Sequence, residues 1–346
     1  MCRFSLCIAA YSLTSRDLVV ESGFSSMTKR NVIVVGASAG GVEALCELFK
    51  NLSEHLNAAT FVAMHVGADS VLPEILSRCG KLPAIPAANK KRYKRGCIYV
   101  APPQHHLLIK NGVTLLSRGP RENGYRPAID VLFRSAAREH RSKVIGIVLS
   151  GGRDDGSAGL FAIKSRGGIA IVQDPAEATA PNMPKSALNM VDVDFCLPVR
   201  QIADLLPNLV NGKATNITEI SNGGVNMEEQ GTVNQPTATP PGDQIPLACP
   251  ECNGPMFEIR DGELANYQCF VGHRFSPESL SDQHTDALER ALWTAARTLK
   301  ERIVLHERLA ERKRNKGEEE LLKRLEESVS AAKKDLQLLR EILDRI

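Results

Sequence analysis

The chain has 346 residues, more than one ordinary domain, and its 43% apolar content provides for at least one sizeable core. With 43 basic and 40 acidic residues the net charge is +3, too small to imply a surface for nucleic acid or anionic lipid. Nine cysteines lie scattered through a long chain rather than in the dense framework of a small secreted domain, so reduced cysteines and a cytoplasmic location are expected. The longest apolar runs, such as 144–149, are strand-length, far from the ~20 residues of a membrane helix.

The first 29 residues hold a weakly apolar stretch behind Arg3 without a small-residue cleavage site, and Met27 leads directly into the first strong strand. They are read as an extension, not necessarily native, and are set aside from the fold. From Asn31, strand-length apolar runs alternate with helix-period segments, the pattern of a doubly wound, mostly parallel α/β sheet covered on both faces. Strands are expected at 32–35, 60–64, 97–101, 144–149, 169–173 and 193–197, and helices at 41–51, 129–140, 157–166 and 201–210. Asn111-Gly112 between 107–109 and 113–116 signals a two-residue hairpin, an antiparallel excursion interrupting the parallel sheet.

Beyond the catalytic stretch, assigned to 30–210, residues 211–247 shift to Asn, Gly, Thr, Gln and Pro and read as a flexible linker. A Cys/His module follows at 248–276 and a helical tail at 277–346. In the tail Leu288, Leu292, Leu299, Leu305 and Leu309 recur at helical spacing, and Leu321, Leu325, Val329, Leu336 and Leu339 repeat the pattern after Asn315-Lys316-Gly317. A self-packed helical hairpin and a coiled-coil seam for an oligomer or partner both account for it.

The first strand ends in Gly36-Ala37-Ser38-Ala39-Gly40-Gly41 and a helix begins at once, satisfying G-x-S-x-G. Glycines permit the tight strand-to-helix turn, and the helix N-terminus offers N–H groups to a developing oxyanion. A phosphate-binding turn is the alternative, against which G-x-G-x-x-G is not met and no Gly-Lys-Ser/Thr follows. The second strand delivers His65 to the same carboxyl edge, with His105, His106 and His140 as competitors for its role. The strand at 144–149 opens into Ser150-Gly151-Gly152-Arg153-Asp154-Asp155-Gly156, bringing an acidic pair to that edge. Serine, histidine and aspartate from three strand ends can serve as nucleophile, base and orienter. Asp155 could instead cap the following helix, and Asp154 could cap it or be solvated. The order serine, histidine, acid differs from that of α/β-hydrolases.

These residues resemble the catalytic domain of the chemotaxis protein-glutamate methylesterase family. The stretches that carry the likeness are Val35 to Gly41, Tyr99-Val100-Ala101-Pro102-Pro103, Arg126-Pro127-Ala128-Ile129-Asp130-Val131-Leu132-Phe133, Asp155-Gly156-Ser157-Ala158-Gly159, Gln173-Asp174-Pro175 and Met183-Pro184. The resemblance implies Ser38 as nucleophile, His65 as general base, Asp155 as its partner, and Asp154 as a bystander. It also implies hydrolysis of glutamate methyl esters on a chemoreceptor helical bundle, with release of methanol and related deamidation of glutamines, without a catalytic cofactor. Ala39 replaces the family's frequent threonine, so oxyanion donors must be backbone N–H groups, those of Ala39 and Gly152. Gly151-Gly152-Arg153 replaces a frequent Gly-Met-Gly, and Tyr125 stands where histidine is common. Arg126 and Arg153 are candidates for a substrate rim. The best-known members carry a receiver domain ahead of the catalytic one, for which residues 1–29 leave no room; control is expected to be constitutive, from the C-terminal extension, or from a separate regulator.

Cys249-Pro250-Glu251-Cys252 and Cys269-Phe270-Val271-Gly272-His273 pair a C-x-x-C with a C-x-x-x-H knuckle. Cys249, Cys252, Cys269 and His273 form a Cys3His set suited to a tetrahedral structural Zn2+ in a zinc-ribbon-like module. The rival reading of the whole chain is a catalytically decayed esterase scaffold that binds a receptor or signalling partner.

Overall fold

The computed structural model describes residues 29–67, 70–212, 242–261, 264–314 and 318–345. Most of the expected extension and linker, and the turn at 315–317, lie outside the described residues.

Seven parallel strands form the central sheet: β1 (Val32–Ala37), β2 (Ala59–Met64), β3 (Ala84–Pro86), β5 (Ile98–Val100), β8 (Val144–Val148), β9 (Ile169–Gln173) and β10 (Phe195–Leu197). Their order is β10-β9-β8-β1-β2-β5-β3. Every residue of β1, β2, β8 and β9 is buried, as a sheet covered on both faces requires. The period-2 alternation divides β1 cleanly. Ile33 and Val35 enter one core with α1 (Gly41–Lys50), α2 (Leu72–Cys79) and α6 (Val199–Asn211). Val32 and Val34 enter the other with α3 (Ile129–His140), α4 (Ser157–Lys164) and α5 (Asn182–Met190). The chain winds outward from β1 through β2 on one side and from β8 through β9 and β10 on the other. The β1/β8 border is therefore a topological switch point, where open α/β sheets form their ligand crevices.

Asn111-Gly112 closes a hairpin of β6 (His106–Lys110) and β7 (Val113–Ser117), with Lys110 opposite Val113. Asn111 and Gly112 both have positive φ, 51° and 71°, the requirement of a type I′ turn. Contrary to the expectation from sequence, the hairpin does not interrupt the parallel sheet. It pairs through β7 with the short β4 (Lys91–Arg92) to make a separate three-stranded sheet, whose Leu107 and Ile109 pack into the α3 core. Pattern reading also omits α2, β3 and α5, which are only 8, 3 and 9 residues long.

The cysteines are not all reduced. Cys46 of α1 and Cys79 of α2 form a disulfide, because the two helices lie side by side and bring these Cα atoms to 5.2 Å.

After the central unit, β11 (Asp243–Ala248), β12 (Pro255–Asp261), β13 (Leu264–Cys269) and β14 (Arg274–Phe275) form a four-stranded antiparallel sheet. It leads into α7 (Pro277–Arg314) and α8 (Glu319–Leu343). These helices pack on each other antiparallel, with Glu307 bonded to Lys333 and Arg314 to Glu326. The seam is made of Ala296, Leu299 and Ile303 against Val329, Ala332, Leu336 and Leu339. Leu288 and Leu305, expected on it from their spacing, are 53% and 55% exposed. Small alanines let the helices approach closely on a neighbouring stripe instead. No described helix is long and apolar enough to cross a membrane.

Candidate active site

The turn after β1 is held from below. Ser38 N–H donates to Ser150 O (2.9 Å), and Ser150 Oγ donates to Ala39 O (2.7 Å). Ser150 N–H is in turn fixed by Gln173 Oε1 (2.7 Å) from the end of β9. Gly40 has φ 68°, and a Cβ there would stand 2.5 Å from Thr179, so the turn admits only glycine at this point. A Cβ at Gly151 would stand 2.9 Å from Ser38 Cβ, which explains why the neighbouring loop also runs through glycine.

On this frame Ser38 Oγ lies 3.0 Å from His65 Nδ1, and His65 Nε2 lies 2.7 Å from Asp155 Oδ2. The three sequence candidates thus form one continuous relay, with the ring's Nδ1 toward the serine and Nε2 toward the acid. The His65 side chain is 7% exposed and that of Asp155 fully buried, while Ser38 is half-buried. The competing histidines are occupied elsewhere: His105 at Pro103 O, His106 at Pro120 O and the Ala128 N–H, and His140 at the Tyr93 hydroxyl.

Asp155 does not cap the helix that follows it. Its carboxylate accepts from the N–H groups of Ile129 (2.7 Å) and Asp130 (3.2 Å), at the N-terminus of α3, and from Asn123 Nδ2 (3.0 Å). Burial alone would raise its pKa; the hydrogen bond and charge of His65, with the Ile129 and Asn123 donors, hold it below the ordinary aspartate value. The cap of α4 comes instead from Asp130, whose Oδ1 accepts from Gly156 N–H (3.1 Å) and Gly159 N–H (2.6 Å). Each acid therefore sits at the N-terminus of the helix next to the other. Burial and the charge of Asp155 push Asp130 up to about 8.

The sequence matches the family described as CheB methylesterase over residues 33–206, half of the chain. The chain belongs to that family. Its members are ester hydrolases by name. A Leptospira interrogans protein with the provisional name protein-glutamate methylesterase/protein-glutamine glutaminase is 39% identical over 180 residues, 51% of this chain and 93% of that protein. A Clostridium acetobutylicum protein-glutamate methylesterase/protein-glutamine glutaminase is 32% identical over 195 residues, 56% of this chain and 56% of that protein. The crystal structure of the Thermotoga maritima CheB methylesterase catalytic domain is similar at 30% identity and a TM-score of 0.51, covering 53% of this chain and all of that one.

Departures from the CheB pattern have visible consequences. Arg153, standing where the family often has glycine, adopts φ 60°, a conformation unfavourable for an arginine. Its guanidinium is engaged by Asp286 (2.6 Å) and Asp282 (3.7 Å) of α7. Arg126 donates to the carbonyls of Arg118 (2.9 Å) and Gly119 (2.8 Å). Both expected rim arginines thus have guanidinium donors engaged within the chain, although Arg126 Nε is buried without a partner among the described residues. Tyr125, where histidine is common, stacks on the His65 ring with centroids 3.5 Å apart and planes 5° apart. Among the described residues, no backbone acceptor takes the N–H groups of Ala39 and Gly152.

Asp154 does not face His65, and it is not solvated. It is buried and accepts hydrogen bonds from the hydroxyls of Ser276 and Ser279, because the start of α7 is folded over the acid turn. Sequence reading also passed over Asn123 and Asp130. Asn123 lies in a loop without periodicity, whereas Asp130 could have been noticed as an acid embedded in the apolar start of a helix.

Away from the relay, Cys249, Cys252, Cys269 and His273 have ligand atoms all within 4.8 Å of one another. Cys252 Sγ to Cys269 Sγ is 3.6 Å, and His273 Nδ1 lies 3.5 Å from Cys269 Sγ and 3.7 Å from Cys249 Sγ. Tetrahedral ligands at zinc distances of about 2.0–2.3 Å are separated by about 3.5–3.8 Å, so the donor set and its spacing both fit Zn2+.

Proposed function

We propose that this protein is a cytoplasmic protein-glutamate methylesterase that demethylates methyl-accepting chemotaxis receptors through Ser38, His65 and Asp155. The unbroken Ser38–His65–Asp155 relay at the β1/β8 switch point, in a chain of the CheB family, carries this reading. His65 Nδ1 takes the Ser38 proton as Oγ attacks the γ-carbonyl of a glutamyl methyl ester, and Asp155 stabilises the imidazolium through Nε2–H. The Ala39 and Gly152 N–H groups receive the oxyanion. His65 then protonates the departing methanol, activates water against the acyl-enzyme, and glutamate is released. Glutamine enters the same route with ammonia as leaving group.

The substrate is a receptor helical bundle, and Arg126 and Arg153 contribute to the rim chiefly by shaping it, with guanidinium donors engaged by Arg118 O and Gly119 O and by Asp286. Cys249, Cys252, Cys269 and His273 would hold a structural Zn2+; four protein ligands leave no open position for chemistry. The decayed-scaffold alternative receives no support from a relay at hydrogen-bonding distance throughout. The test is methanol release from a glutamate-methylated receptor fragment. Wild-type protein should release methanol, and Ser38→Ala should lose activity by a factor on the order of 10⁴ or more; equal release by Ser38→Ala would refute the assignment.

A further inference from the structure

The acid turn between β8 and α4 is an unusual construction. Two consecutive aspartates are both buried, 3% exposed at Asp154 and 0% at Asp155, and only Asp155 faces His65. A second carboxylate at this place works against the first. Burial raises the pKa of Asp154, and so does the neighbouring Asp155 charge, whereas its hydrogen bonds from Ser276 and Ser279 lower it. Those two hydroxyls come from a segment more than 120 residues further along the chain.

That segment is itself tightly specified. Ser276 caps α7: its Oγ accepts from Ser279 N–H (3.0 Å) and its carbonyl from Leu280 N–H (2.9 Å). The positive end of a long helix therefore faces Asp154. Ser276 N–H also donates to Asn123 Oδ1 (3.1 Å), and Asn123 N–H donates to Arg274 O (2.8 Å). The same Asn123 gives its Nδ2 to both Asp155 Oδ1 and Asp130 Oδ2, each at 3.0 Å. Further along α7, Asp282 and Asp286 hold Arg153 in its left-handed conformation. Two routes thus lead from the start of α7 to Asp155, one through Asp154 and the Arg153 backbone, the other through Asn123.

We infer that Ser276 and Ser279 are positioning residues of the active site: by docking on Asp154 and Asn123 they fix the turn that holds Asp155 against His65. The C-terminal segment is on this account a working part of the hydrolase, not an appendage. Without the two hydroxyls Asp154 is a buried carboxylate lacking donors, which must take a proton or swing toward water, and either response moves the adjacent Asp155. Ser38 itself stays half-buried, so the segment buttresses the relay without closing it.

This inference rests on the triad assignment, and one set of measurements separates the two. Methanol release from a glutamate-methylated receptor fragment is followed with the full-length chain as wild type, Ser276→Ala/Ser279→Ala, Ser276→Thr, and the double variant in an Asp154→Ala background. The double variant should lose roughly ten- to a hundredfold in kcat with KM little changed, the scale of a lost hydrogen bond to a charged group. Ser276→Thr should retain most of kcat, and Asp154→Ala should restore part of what the double variant loses, because the uncompensated charge is gone. Where the double variant does not fold, Ser279→Ala alone retains the Ser276 cap and should still lower kcat several-fold. Wild-type kcat in the folded alanine variants, or a loss confined to thermal stability, would overturn the inference. An inactive wild type would overturn the triad assignment and this inference together.

Discussion

Asp155 and Asp130 show how two buried acids can be kept side by side. Each is placed at a helix N-terminus and supplied with backbone donors, yet the two fare differently because only Asp155 also has His65. Asp155 is held low and contributes stability at neutral pH, which is lost as pH falls through its depressed native pKa. Asp130, at about 8, has the opposite sign. Between about pH 4 and pH 8 the native protein keeps a proton there that the unfolded chain has released, so this group's contribution falls as pH rises through that window. Asp130→Asn preserves an acceptor for Gly156 and Gly159 without the titration. The urea midpoint of wild type should therefore fall more between pH 5 and pH 8.5 than that of Asp130→Asn; parallel falls would contradict the assignment. Ser38, His65 and Asp155 were legible because each stands at the end of a strong apolar strand. The roles of Asn123 and Tyr125 were not, since they arise from contacts with residues distant in sequence, and Asp130 showed only as an acid in the apolar start of a helix.

The sheet was legible for a similar reason. Buried parallel strands such as β8 and β9 are continuous apolar runs, and α3 has a clear amphipathic stripe, so sequence spacing places them to within two residues. The α7–α8 seam was placed in part: Leu299, Val329, Leu336 and Leu339 lie on it, but Leu288 and Leu305 face water, because leucine spacing on a long polar helix does not say which residues find a partner. The four-stranded sheet of β11 to β14 has a core of little more than Met256, Phe275 and Leu280 around the cysteines. A core that small needs another source of stability, and a bound metal supplies it by coupling ligation to folding. Purified protein should contain about one zinc per chain. Cys249→Ser or chelation should remove the metal and expose the amides of β12 and β13 to exchange, while β1 and β8 remain protected. Full protection of β12 and β13 in metal-free protein would contradict a structural zinc.

At the scale of the molecule, the central α/β unit brings three strand ends to one edge, and the C-terminal segment returns to the same place. Arg121 meets Glu251 at 3.6 Å, Asn123 meets Arg274 and Ser276, and Arg153 meets α7. None of this was readable beforehand, because an expected flexible linker gives no reason for its two sides to touch. Yet the proposed chemistry depends first on a simpler point, that Ser38 acts as a nucleophile activated by His65. The most direct test is to treat the full chain with a fluorophosphonate and map the adduct by mass spectrometry. A single adduct on Ser38, formed in wild type and slowed on the order of a thousandfold or more in His65→Ala, is the expected result. An unlabelled Ser38 in folded protein, or labelling indifferent to His65, would contradict the account.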